Sequence, residues 1–132
     1  AKFLVYKDDI VIAMTGATVG KVAVSKFDNL LLNQRVGLVR PDEQKLSKYF
    51  LKSVLFSNYF YEYCQITAGG GAQGNISPSQ IKDFEIPLPP LATQKQIVEK
   101  IEAERTLVEA TKKLIEIYEQ KTKDTLAKLW EE

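Results

Sequence analysis

From Thr93 to Glu132 the chain runs forty residues without a glycine or a proline, and no other feature restricts its fold so strongly. A breaker-free segment of this length reads as one helix, with Thr93 and Gln96 at capping-box spacing. At 1.5 Å per residue it would reach ~60 Å, several times the length of a typical globular helix. Ile101, Val108, Ile115, Thr122 and Leu129 form a column at strict seven-residue spacing, flanked by Ile97, Leu107, Leu114, Tyr118 and Leu126. That is the wide apolar stripe of a helix that packs against other helices over most of its length. A body of 92 residues at one end cannot cover it, so a helical partner from another chain or domain is implied.

The segment before it reads differently. Val11-Ile12-Ala13, Val22-Ala23-Val24 and Arg35-Val36-Gly37-Leu38-Val39 are short β-branched runs separated by Gly and Asp turns, which predicts a meander or half-barrel. A further strand is expected at Phe3-Leu4-Val5-Tyr6, entered with no methionine or turn residue ahead of it, as in a piece of a longer chain. From about Asp42 to Gln65 the period changes. Leu46, Tyr49, Phe50, Phe56, Phe60, Tyr63 and Cys64 recur at helical intervals, predicting one helix with this face in the core and Asp42 and Glu43 at its start. Thr67 to Ser79 is a glycine-rich loop. Glu85-Ile86-Pro87-Leu88-Pro89-Pro90-Leu91 is a stiff extended hinge, because each proline keeps the residue before it out of the helical region. The expected class is therefore α+β: a small β-rich body with a packed helix over 1–91, then one long coiled-coil-like helix over 92–132.

Composition narrows the chemistry. With no histidine and a single cysteine, zinc sites built on those ligands and Ser-His or Cys-His nucleophilic pairs are excluded. Cys64 has no partner for an internal disulfide, so nothing demands an oxidising compartment. No apolar run approaches the ~20 residues of a membrane helix, and a cytoplasmic setting is expected. The Gly16 to Lys21 turn fails as a phosphate loop: three residues, not four, separate Gly16 from Gly20, and Val22 stands where a Mg²⁺-binding hydroxyl belongs. Acidic residues are scattered on turns, and Leu88-Pro89-Pro90-Leu91 lacks the amide or acid and the aromatic of a methyltransferase motif. The expectation is no catalysis, no metal and no cofactor.

DNA is the remaining ligand class of interest. The formal charge of +1 averages two unlike parts. Residues 1–92 carry ten Lys/Arg against eight Asp/Glu (+2), and 93–132 carry eight against nine (−1). Lys21, Arg35 and Arg40 adjoin loops or strand ends, and Asn33-Gln34-Arg35 and Gln73-Gly74-Asn75 supply groups suited to phosphates and base edges. A solvated side chain or a turn hydrogen bond accounts for each of them equally well.

Four motifs occur together in order: Asp9 to Lys21, Asn33-Gln34-Arg35-Val36, Gly71-Ala72-Gln73-Gly74-Asn75-Ile76, and Ile86-Pro87-Leu88-Pro89-Pro90-Leu91 with Gln94, Ile97 and Val98. Over nearly its whole length the chain resembles a target recognition domain of the specificity subunit of type I restriction-modification systems. The resemblance implies a non-catalytic protein in which two recognition domains each read half of a split double-stranded DNA target. Two long antiparallel helices set their spacing and dock the modification subunits, which hold S-adenosylmethionine; the restriction subunit is an indirect partner. This chain would be the later part of one such domain, N-terminally incomplete, with one spacer helix.

The resemblance implies backbone contacts from Lys21, Arg35, Lys82 and the amides of the glycine loop; the wider set of DNA-facing candidates adds Asn33, Gln34, Arg40, Gln73 and Asn75. Helix packing is expected from Ile97, Ile101, Val108, Ile115, Tyr118 and Leu129, through antiparallel pairing of two copies. The rival expectation is a pure assembly module whose body does not hold DNA.

Overall fold

The computed structural model describes residues 4–69 and 73–131. Phe3, Gly70, Gly71, Ala72 and Glu132, which figure in the expectations above, lie outside the described residues. The chain forms two compact units, Ala1–Lys95 and Gln96–Glu132.

The strands are β1 (Leu4–Val5), β2 (Ile10–Ala13), β3 (Val22–Val24), β4 (Leu30–Leu31) and β5 (Val36–Val39). In β2 the side chains alternate between the faces, and Ile10 and Ile12 are fully buried. It is the central strand, antiparallel to β3 on one side and to β5 on the other, in register Ile10↔Val24 and Ile10↔Val39. The expected meander holds only for the β2–β3 hairpin. Before returning to the far side of β2, the chain pairs β4 with β1 in a separate two-stranded ladder. A strand with two fully buried isoleucines is best placed at the centre, where both its edges are paired.

The single helix expected over 42–65 is two, α1 (Lys48–Leu55) and α2 (Asn58–Thr67). Ser57, in extended conformation, breaks the path, and its hydroxyl donates back to the Val54 carbonyl. Apolar spacing continues across the break, but the facing does not. Phe50, Leu51, Leu55, Phe60 and Cys64 are buried, whereas Tyr49 and Phe56 are 63% and 50% exposed. Nor do Asp42 and Glu43 start a helix. The Asp42 carboxylate accepts from the Gln44 N–H within a turn, and Ser47, whose hydroxyl accepts from the Phe50 N–H, caps α1.

The capping box falls on the short helix α3 (Pro78–Lys82), where Ser77 and Gln80 bond reciprocally. The long helix α4 (Leu91–Ala127) opens directly after Pro90, two residues before Thr93, and Lys128–Trp130 is a 3₁₀ turn. Leu129 thus lies beyond the α-helix, because the end tightens from α to 3₁₀ geometry.

The core of the first unit gathers Ile10, Ile12, Val19, Leu51, Leu55, Phe60, Cys64 and Ile76. Phe84 packs edge-on to Phe60 at 5.1 Å and lies 5.0 Å from Tyr63. Burial pushes the Cys64 thiol up to about 11, so it stays protonated at neutral pH and serves as a small apolar filler.

Candidate nucleic-acid interface

Two of the sequence motifs form one piece of structure. The 3₁₀ turn Gly16–Thr18 is laced to the segment after the glycine loop. Gly16 N–H donates to the Gly74 carbonyl and Ile76 N–H to the Met14 carbonyl, both at 2.8 Å, and Thr15 and Asn75 form a bridge. Gly20, at φ 86°, turns the chain back toward β3, and Val19 beside it is buried. Gln65 of α2 holds the turn from behind, its amide donating to the Val19 carbonyl. Hydrogen bonding and packing thus account for the backbone of both motifs. Lys21, at the end of the turn, keeps an exposed ammonium with no partner among the described residues.

Asn33-Gln34-Arg35 divides its roles. The Asn33 side chain accepts from the Arg35 N–H at 2.9 Å, closing an Asx turn into β5, and the Asn33 carbonyl accepts from Val36. Asn33 is therefore committed to the turn. Gln34 and Arg35 are exposed, and neither side chain has a partner among the described residues. Gln73 and Asn75 are likewise exposed. Of the glycine-loop residues expected to face DNA, Gly74 is buried and Gly69 exposed, and Gly70 and Gly71 lie outside the described residues.

Arg40 has a different role from the one its position suggested. Its Nη2 lies 2.6 Å from Asp9 Oδ2 and 2.8 Å from the Leu4 carbonyl, and its Nε donates to Asp9 Oδ1. The guanidinium also stands 5.3 Å from the centre of the Tyr6 ring. Asp9 is 3% exposed and also accepts from the Tyr6 N–H. This bidentate pair braces the start of β2 against the end of β5. The hydrogen bond from Arg40 holds the Asp9 carboxyl below the ordinary carboxylate value, against the opposing effect of burial. A group whose pKa is lowered on folding stabilises the native state above its unfolded value, and the contribution disappears as pH falls through the lowered one. Asp9→Asn should therefore cost about 1–3 kcal/mol at neutral pH, with the gap to the parent closing below about pH 4, as read from urea unfolding across pH.

Asn33, Gln34, Arg40 and Lys82 border one groove of about 840 Å³ that runs beside β5 over an apolar floor. Among the described residues its lining contains no acidic side chain, and the exposed Lys82 ammonium has no partner.

In the second unit the apolar stripe of α4 is open. Val108, Ile115 and Tyr118 are 50–58% exposed, and Leu107, Leu114 and Leu126 beside them are also exposed. Thr111, Thr122 and Thr125 donate their hydroxyls to carbonyls four residues back. These three hydroxyls would stay paired under a partner that covered the stripe. The helix's own ion pairs, Arg105–Glu102 and Lys112–Glu109 at 3.8 Å, are exposed and contribute little.

One residue near the start of α4 was not legible as structural. Gln94 is fully buried; its amide donates to the Lys45 and Pro89 carbonyls, and its Oε1 accepts from the Ser47 N–H. The clue in the sequence was its place in a recurring motif, which says nothing of the partners.

The chain is thus an α+β body with unspent basic and amide side chains, followed by a helix with an exposed apolar stripe. Its family is the type I restriction modification DNA specificity domain: residues 1–120 match that family, and the chain belongs to it. It is 32% identical over 117 residues to the putative type I restriction enzyme MjaX specificity subunit of Methanocaldococcus jannaschii, covering 85% of this chain and 27% of that protein. It is 33% identical over 112 residues to the EcoKI specificity subunit of Escherichia coli, covering 80% and 23%. A chain in a solved structure of a type I R-M system shares the fold at TM-score 0.68 and 23% identity, over 84% of this chain and 26% of that one. The chain thus spans about a quarter of the length of these relatives.

Proposed function

We propose that this chain is a DNA-recognition module of a type I restriction-modification specificity subunit, without chemistry of its own, that holds one part of a split duplex target. The match of residues 1–120 to the specificity-domain family carries the reading. The unpartnered side chains of Lys21, Arg35 and Lys82 support it as phosphate contacts, with Gln34, Gln73 and Asn75 available for base edges. Asn33 and Arg40 act behind the interface, one shaping the turn and the other bracing the sheet. Binding to duplex DNA should weaken steeply with salt. Lys21→Gln, Arg35→Gln and Lys82→Gln should each reduce the slope of log K against log[salt] by about one while lowering affinity for all sequences alike. A salt-independent or absent interaction, measured by fluorescence anisotropy, contradicts the reading.

The helix supports the partner side of the proposal. Its stripe pairs antiparallel with a second spacer helix, from another copy or another domain, and the Lys/Glu faces are left for modification subunits, through which the restriction subunit is reached. The uncovered apolar residues from Leu107 to Leu126 favour this. Light scattering at tens of micromolar should give twice the 14.9 kDa chain mass. Joint Ile101→Asp and Ile115→Asp should return it to the monomer value, since each buries a charge in a helical seam. A body that binds no DNA on a chain that still dimerises would favour the assembly reading.

A further inference from the structure

Lys21 and Lys82 stand on short pieces of structure, and one helix holds both. Lys21 follows the 3₁₀ turn Gly16–Thr18, and Lys82 ends the five-residue helix α3. A single helical turn gains too few hydrogen bonds to offset the order it needs, so neither piece keeps its shape unaided. In α2, Cys64 is fully buried, and Tyr63 and Gln65 flank it, half-buried, about 100° to either side. The Gln65 amide donates to the Val19 carbonyl at 2.8 Å, and the Tyr63 hydroxyl donates to the Gln80 carbonyl at 2.6 Å. Neither carbonyl accepts a backbone hydrogen bond among the described residues, so each side chain satisfies a group that the end of a turn leaves open. Val19 lies two positions before Lys21, and Gln80 two before Lys82. The seating is close on both sides. A Cβ on Gly20 would lie 2.6 Å from the Cys64 Cβ, and the Tyr63 ring is 5.0 Å from Phe84 and 6.5 Å from Phe60.

We infer, on the DNA-recognition reading above, that Tyr63 and Gln65 are positioning residues for phosphate contact: α2 sets where Lys82 and Lys21 present their ammonium groups to the DNA backbone. Both side chains are half-buried and engaged by carbonyls, and they act through the lysines. A lysine ammonium rides on a flexible four-carbon stem, so the fold places only the backbone beneath it. A backbone that wanders adds its own freedom to that of the stem, and this freedom must be given up again at binding. Loss of either anchor therefore weakens one contact while every charge remains.

The test measures binding of the 132-residue chain to a mixed-sequence duplex of about twenty base pairs across a salt series, since backbone contacts do not depend on sequence. Tyr63→Phe keeps the ring and Gln65→Met keeps the chain length, so both variants should stay folded, as urea unfolding checks; either alone decides the matter for its own lysine. Each should lower the slope of log K against log[salt] by about one half to one, with no charge removed. A role in stability alone leaves the slope where it was. The losses should also be selective. Tyr63→Phe should add nothing to Lys82→Gln and add fully to Lys21→Gln, and Gln65→Met should show the reverse. An unchanged slope in either variant, where substitution of its lysine does lower the slope, overturns the inference and leaves the recognition reading standing. Losses that add fully to that of the same lysine overturn it as well. A parent chain that binds no duplex overturns the recognition reading, and the positioning role with it.

Discussion

Gly20→Ala is expected to lower the unfolding free energy by about 2–4 kcal/mol, the largest effect of any single-methyl addition in the first unit. Two costs combine. The residue sits at φ 86°, in the left-handed region where a side chain costs roughly 1–2 kcal/mol. An added Cβ would also lie 2.6 Å from Cys64 Cβ and 3.3 Å from its Sγ, inside the buried face of α2. Overpacking of that kind typically costs a further 1–3 kcal/mol. Because the closest atom is the Cβ itself, Cys64→Ala should give no relief, whereas Cys64→Gly should recover part of the loss. Gly37→Ala is the control, since its Cβ would come closest to the flexible Met14 Sδ at 3.0 Å, with Met14 Cγ and Ile81 Cδ1 at ordinary contact distances of 3.5 and 3.6 Å and no positive φ. It should change stability by less than about 1 kcal/mol. Urea unfolding of the four variants decides the matter. A Gly20→Ala protein as stable as its parent would mean that the turn is free to move away from α2.

Gln94→Ala should cost about 2–3 kcal/mol by the same measurement. Truncation leaves the Ser47 N–H and the Lys45 and Pro89 carbonyls without their side-chain partner, and each buried group left unsatisfied costs about 1–3 kcal/mol, less where water can reach it. Gln94→Glu keeps the acceptor but removes both donors and buries a charge, so it should be no better than alanine. Amide exchange should localise the damage: the Ser47 amide, protected in the parent, should exchange faster in both variants. If stability is unchanged, water replaces the amide at all three sites.

These two residues mark the limit of sequence reading here. Four of the five strands, all but β4, and the long helix were legible because their signals are local. A run of β-branched residues between turn formers announces a strand within five positions, and forty residues without a breaker leave a chain few options but helix. The break at Ser57 was not legible, because apolar residues at three- and four-residue spacing look the same whether the helix runs on or turns a corner. Tyr49 and Phe56 were therefore expected inside and lie largely outside.

The candidate interface divides along the same line. Lys21 and Arg35 were singled out as basic residues beside loops and Lys82 through the family resemblance, and the structure leaves their side chains unpartnered among the described residues. Arg40 satisfied the same sequence criterion and yet braces Asp9, 31 residues away in the chain. Charge type is written in the sequence; whether a charge is already spent depends on what the fold brings within 3 Å of it.

By itself, the sequence determined the α+β class, the absence of histidine and of a second cysteine, the family, and a long helix with an apolar stripe. All of these rest on residue identity and short-range spacing, which survive without coordinates. Only the tertiary structure decided that the Thr15 turn and the Asn75 segment are one unit, that Gly20 touches Cys64, that Gln94 ties together Lys45, Ser47 and Pro89, and that β5 ends its sheet with an open edge. Apart from the Gln94–Pro89 bond, five residues apart, those are contacts between residues 44 to 60 positions apart, or in the case of β5 the absence of a described neighbour, and short-range spacing carries no information about either.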